Sequence, residues 1–302
     1  MTDRAAAARH GPGVAIYAQL AAVVLFWGTN WLIIRAALPD VGPLTLNLLR
    51  FGGSAVFLAA LLPLLRSPLL PPAGERAPMA LIGVLQIAAM LSLSSLGLLV
   101  VPPGRAAVLA YTMQVWALPL GVLIAGERPP RQRVLGGLLA FAGVLVFFNP
   151  ALVDWSDPAV LLGNGLLVAS AVSWALGATL YRRHRWRTPF WTQTFWQIAV
   201  STAAVLPFAL LLEADRSVNW TPMLLLALAY NWVIGTALCY WWWSKALAVM
   251  PAAQAGQILC LVPVTALLES AVVYGEPLTA GVLVAVALIA AGIVMTVRAP
   301  AK

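Results

Sequence analysis

Residues 274–279 read YGEPLT, and 149 positions earlier residues 125–130 read AGERPP. Each holds a Gly-Glu step with Pro just behind it. Gly suits the end of one helix and Pro the first turn of the next, so each stretch reads as a tight turn between two helices. VPPGRAA (101–107) and MPAAQAG (250–256) are also 149 apart, and Trp27 in VLFWGTN and Trp174 in AVSWALG are 147 apart. Three correspondences at nearly one offset argue for a duplication, with residues 1–150 as the first copy and 151–302 as the second.

The duplicated unit belongs in a membrane. The chain is 62% hydrophobic and 9% charged, where a soluble domain carries about 25% charged residues. Apolar runs longer than the ~20 residues that cross the hydrocarbon core recur along its length. Gly, Pro and charged clusters divide it into ten spans, at about 14–37, 43–66, 77–100, 104–124, 131–149, 158–181, 189–212, 221–246, 252–273 and 278–298. The first run is too long for a cleavable signal core and reads as a retained span.

Five spans per copy is an odd number, so the second copy must enter the membrane upside down. The charges agree. The turn after the fourth span carries Arg128, Arg131 and Arg133, and its counterpart after the ninth carries none. Arg35, Arg105 and Arg216 fall on the side away from the termini and Arg50 lies within the second span; the remaining 14 of 18 basic residues fall on the side of the termini. The positive-inside rule then makes both termini cytoplasmic in a bacterial inner membrane. The run YRRHRWR (181–187) is a topology determinant, and its attraction to anionic lipid follows from the same charges. The net charge of +8 is therefore no sign of nucleic-acid binding. Cys239 and Cys260 both lie in predicted spans, so no disulfide framework is implied.

Polar side chains at mid-membrane cost free energy unless they face protein or a wet cavity. Helical rise places Asn30, Gln86, Gln114, Tyr230, Asn231 and Trp232 near the middle of their spans, with Trp27 and Trp174 at matching depths in the two copies. Tyr111 falls near Gln114, and Gln257 nearer the cytoplasmic end of the ninth span. An isolated amide there most simply makes an interhelical hydrogen bond, worth about 0.6–2 kcal/mol. Several amides and indoles at one depth on different helices suit a ligand with flat apolar and polar parts. The triplet Trp241 to Trp243 sits ~30 Å from the start of its span and fans over about 200° of helix, so it reads as an interfacial belt with Lys245 snorkelling beside it. Two charges remain inside, Arg50 and Glu269, at depths that agree within a turn. Either they pair as a gate near the outer mouth or each finds its own polar partner.

Ten spans in a five-plus-five duplication, FWGTNW (26–31) in the first span and a Gly-Glu-Pro turn closing each fourth span resemble the drug/metabolite transporter superfamily in its EamA-like ten-helix branch. Length and tryptophan content resemble, within it, the bacterial aromatic amino acid exporters of the YddG type. The resemblance covers essentially the whole chain, through short motifs. It implies an all-α integral membrane protein, ten transmembrane helices as two inverted five-helix repeats around a central cavity, with the fifth and tenth helices at the periphery. The residues agree. VLGGLLAFAGVLVFF (134–148) and GVLVAVALIAAGIVMTV (281–297) carry no hydrogen-bonding side chain before Thr296.

Absences narrow the function. The first span holds no acidic residue, unlike the small multidrug exporters of that superfamily. No basic residue lies at the midplane to meet a phosphate. His10 and His184 are in loops, and no metalloprotease or serine-hydrolase motif occurs. The expectation is a non-enzymatic transporter of amino acids, aromatic and other apolar ones favoured, working by alternating access as a monomer among membrane lipids, without cofactor or metal. Export of drugs or other metabolites is the competing expectation.

Overall fold

Ten helices make up the computed structural model over the residues it describes, 13–147, 156–249 and 258–298. They are α1 (Val14–Ala37), α2 (Pro43–Leu61), α3 (Ala73–Gly97), α4 (Pro103–Tyr111 and Met113–Ala125), α5 (Arg131–Phe147), α6 (Pro158–Arg183), α7 (Phe190–Leu212), α8 (Pro222–Ala246, its last turn running to Val249), α9 (Val262–Tyr274) and α10 (Ala280–Val297). Seven of them, α1 to α4 and α6 to α8, are long and apolar enough to cross a membrane, and α9 and α10 are shorter apolar helices. The repeat boundary at 150/151, the stretch MPAAQAG and the expected start of the ninth span lie outside the described residues.

Two ends differ from the sequence reading. α2 stops at Leu61 instead of running to 66, because Pro63 supplies no N–H to continue the ladder and Arg66 turns into the left-handed region at φ 50°. α3 begins at Ala73, a turn before the expected 77, with Pro78 inside the helix.

Contacts between connections fix the threading. Call the side where α1 starts the near side and the other the far side. On the far side Asn219 N donates to Asp40 O at 2.8 Å and Thr221 Oγ1 to Asp40 Oδ2 at 2.6 Å, joining the α1–α2 turn to the start of α8. On the near side Arg182 at the end of α6 pairs with Glu127 at 3.7 Å. Gly126 and Gly275 end α4 and α9 with φ of 65° and 67°, a left-handed conformation that glycine adopts without a Cβ clash.

Carboxylates cross between the halves to cap helix starts. Glu276 accepts from Gly104 N (3.0 Å) and Arg105 N (2.9 Å) at the start of α4. Glu213 accepts from Leu44 N (3.0 Å) and Thr45 N (2.8 Å) at the start of α2. Glu75 accepts from Arg187 N (2.7 Å) and Thr188 N (3.1 Å) just before α7. The first two join second-half acids to first-half helices on the far side; the third does the reverse on the near side. That exchange of halves and sides is what an inverted repeat requires.

α5 and α10 pack on each other more closely than any other pair, and α5 meets the rest of the bundle mainly through α4. A Cβ on Gly292 would come within 2.4 Å of Ala140 N and Gly136 O, so the two backbones touch through small residues. This pair is the peripheral scaffold that the resemblance implied.

Candidate functional site

The third helix of each half carries a π-helical stretch, Val84–Ala89 in α3 and Tyr230–Leu238 in α8. Such turns leave backbone groups free of the regular ladder and recur at functional sites. The stretch in α8 packs against α1 and α2, and the one in α3 against α6 and α7. Each half thus offers its widened turn to the first two helices of the other.

Around the α8 turn the structure gathers Trp27, Tyr230 and Trp232. Trp27 Nε1 donates to Gly235 O at 3.1 Å, and Tyr230 Oη to Phe26 O at 2.7 Å. Trp232 Nε1 donates across to Leu49 O on α2 at 3.2 Å. Its indole lies where a Cβ on Gly53 would come within 2.1 Å, so glycine there makes the room. Satisfying the indole N–H groups on backbone carbonyls leaves the ring faces for packing or for a ligand.

The amides on these two helices are left half-bonded. Asn231 Nδ2 donates to Ala227 O at 2.9 Å, which assigns its other atom as the carbonyl oxygen, and that Oδ1 is buried with no hydrogen-bond partner. Asn30 Oδ1, one turn along α1 from Trp27, is also buried without a partner. Buried acceptors of this kind are normally paired, so two open ones beside each other's helices await a donor.

Gln86 belongs to the α3 turn and lies against Gly177 of α6, while Ser173 Oγ of α6 donates to Leu85 O at 2.8 Å. Trp174, also on α6, and Tyr111 on α4 pack against the main apolar core. Gln114 is half-buried on α4, just past the break at Thr112. Among the described residues no hydrogen bond or ring contact links Gln86, Gln114 or Trp174 to the α1–α8 group, although Trp174 and Trp232 pack against the same apolar core. Gln257 lies outside the described residues.

Arg50 and Glu269 do not form an ion pair; among the described residues the single ion pair is Arg182–Glu127. Glu269 accepts from Thr29 Oγ1 at 3.1 Å through Oε1, and its Oε2 is buried without a partner. The Arg50 guanidinium lies 5.9 Å from the Phe51 ring centroid and acts electrostatically on Tyr240. Glu269 thus has a polar partner of its own in Thr29, whereas Arg50 has no hydrogen-bonding partner among the described residues.

Tyr240 is the residue that the sequence reading missed. Its ring stands edge-on to Trp27, centroids 5.8 Å apart. Tyr111, Cys239 and Cys260 are its electrostatic neighbours or share them with it. Arg50, Tyr111 and Tyr240 are each half-buried, on α2, α4 and α8. Trp232, Thr236 and Tyr240 follow each other at four-residue spacing, but the π-helical stretch Tyr230–Leu238 breaks the regular face that this spacing would give. Thr236 shares a 3.2 Å hydrogen bond with Ser54 of α2. The neighbouring tryptophans fan away from Tyr240. Trp241 is exposed under Lys245 (Nζ to centroid 3.8 Å), Trp242 stacks on Phe26 (6.2 Å, 16°), and Trp243 packs with Leu20 and Ala246.

Inverted helical repeats whose π-helical turns gather polar and aromatic side chains between the halves are a transporter architecture. The sequence profile of the EamA-like transporter family matches residues 15–149 and again 161–298, and the chain belongs to that family of the drug/metabolite transporter superfamily. Its relatives include a probable amino-acid metabolite efflux pump of Salmonella typhimurium, 28% identical over 286 residues, covering 91% of this chain and 92% of the relative. The uncharacterized transporter YoaV of Bacillus subtilis is 23% identical over 282 residues, covering 93% and 96%. A solved crystal structure shares the fold with a TM-score of 0.66 at 20% identity, covering 94% of this chain and 96% of its own.

Proposed function

We propose that this protein moves amino acids out of the bacterial cytoplasm by alternating access, with aromatic side chains favoured, and sits in the inner membrane with both termini inside. The observation that carries the reading is the pair of open carbonyl oxygens, Asn30 Oδ1 on α1 and Asn231 Oδ1 on α8, on the same two helices that bring the Trp27 and Tyr240 rings together. An ammonium group brings three donors, and an aromatic side chain brings the flat surface that such rings stack on. Relatives named as amino-acid metabolite efflux pumps in two enteric bacteria support the same cargo.

Counterflow in proteoliposomes tests it. Vesicles loaded with unlabelled tryptophan accumulate labelled tryptophan, and loading with phenylalanine or leucine drives a smaller exchange. Absence of exchange with every amino acid overturns the reading. Export of cationic drugs is the second reading, favoured by the partnerless Oε2 of Glu269; exchange of an organic cation that amino acids do not inhibit would establish it.

A further inference from the structure

We infer that Arg50 is the anchor for the carboxylate of the cargo, an assignment that rests on the amino-acid reading above. A guanidinium keeps its charge at any physiological pH and is costly inside a membrane unless it is paired or faces a wet cavity. Among the described residues Arg50 forms no ion pair and donates no side-chain hydrogen bond; its neighbours are the Phe51 ring and Tyr240. The acids elsewhere are committed. Glu213 and Glu276 cap helices, Glu75 holds the loop before α7, Glu127 pairs with Arg182, and Glu269 holds Thr29.

Arg50 is therefore an unpaired, half-buried positive charge within a membrane-spanning helix. Its helix meets α8 where Trp232 is bonded to the carbonyl of Leu49, the residue before Arg50. The carboxylate of a zwitterion would meet the planar fork of Arg50, which bonds it through two parallel N–H groups, and its ammonium the open oxygens of Asn30 and Asn231. A hydrated arginine held only for packing would show no preference between cargo with and without a carboxylate.

The test is competition against labelled tryptophan counterflow by full-length protein in proteoliposomes. Competitors are unlabelled L-tryptophan, tryptamine, which lacks the carboxylate, and indole-3-propionate, which lacks the ammonium. Wild type should favour tryptophan over tryptamine by about tenfold or more, the worth of a charge-assisted contact. Arg50→Gln should bring the two within about threefold, and Arg50→Lys should retain part of the preference, since a point charge lacks the fork. Equal competition in wild type, or a ratio unchanged in Arg50→Gln, overturns the assignment while leaving amino-acid transport standing. A wild type that moves no tryptophan removes the amino-acid reading and this assignment together. If Arg50→Gln is not monodisperse in detergent, the wild-type ratio and Arg50→Lys decide.

Discussion

Glu213, in the second half of the chain, caps the first turn of α2 in the first half by accepting from Leu44 N at 3.0 Å, across 169 positions of sequence. Glu276 does the same at α4, and Glu75 makes the reciprocal contact between the halves on the loop just before α7. The first N–H groups of a helix have no intrahelical acceptor, and a carboxylate placed there, as Glu213 and Glu276 are, also meets the positive end of the helix dipole. These acids therefore hold the two halves together at the ends of the helices.

Glu213→Ala, Glu75→Ala and Glu276→Ala should each lower unfolding stability by about 1–2 kcal/mol. The tryptophan-to-tryptamine ratio in counterflow should stay at the wild-type value. Thermal unfolding in detergent checks the first outcome. A variant of normal stability would show that water replaces the carboxylate without loss.

The closest helix contact yields a second expectation. Gly292→Leu places a branched side chain where even a Cβ lies 2.4 Å from the α5 backbone, so α10 must separate from α5. Folded yield should fall sharply, whereas Leu283→Ala, at a half-exposed position of α10, should leave it unchanged. Equal yields from the two variants would refute close packing of this pair.

Much of this architecture is legible in the sequence and some of it is not. The Gly-Glu-Pro turns give the duplication, and an odd span count then forces the inversion. The same motif hides a second role, because a turn reading says nothing of where the Glu276 carboxylate goes, and its acceptor role toward Gly104 and Arg105 spans 172 and 171 positions. Order along a helix is readable from rise per residue. Azimuth is not, since a π-helical stretch such as Tyr230–Leu238 resets the phase of everything after it. Tyr240 lies beyond that reset and beside the conspicuous Trp241, so its place against Trp27 emerges only in three dimensions.

Because Arg50 and Glu269 are not paired, their substitutions should act independently. Arg50→Gln and Glu269→Gln should each reduce tryptophan exchange, and the double variant should show the product of the two fold-losses. Independent sites add within ~0.5 kcal/mol in a double-mutant cycle. A double loss well short of the product would mean that the two charges meet in another conformation of the transport cycle.

The last expectation separates the polar from the aromatic side of the candidate site. Asn30→Leu and Asn231→Leu remove the two open carbonyl oxygens while keeping side-chain size, and the Asn231 variant also releases Ala227 O, an acceptor already served by its own helix. If those oxygens receive the cargo ammonium, exchange of every amino acid should fall by a similar factor, about tenfold for a lost charge-assisted bond. Indole-3-propionate, with no ammonium, should compete as well as before. Trp232→Ala acts on the other side. It opens the space above Gly53 and frees Leu49 O, so tryptophan and phenylalanine exchange should drop more than leucine exchange does. Measuring all three cargoes against all three variants keeps the two effects apart. A uniform loss in Trp232→Ala would make that indole a strut between α8 and α2. A loss confined to aromatic cargo in the asparagine variants would mean that Asn30 and Asn231 shape the ring pocket and do not bind the ammonium.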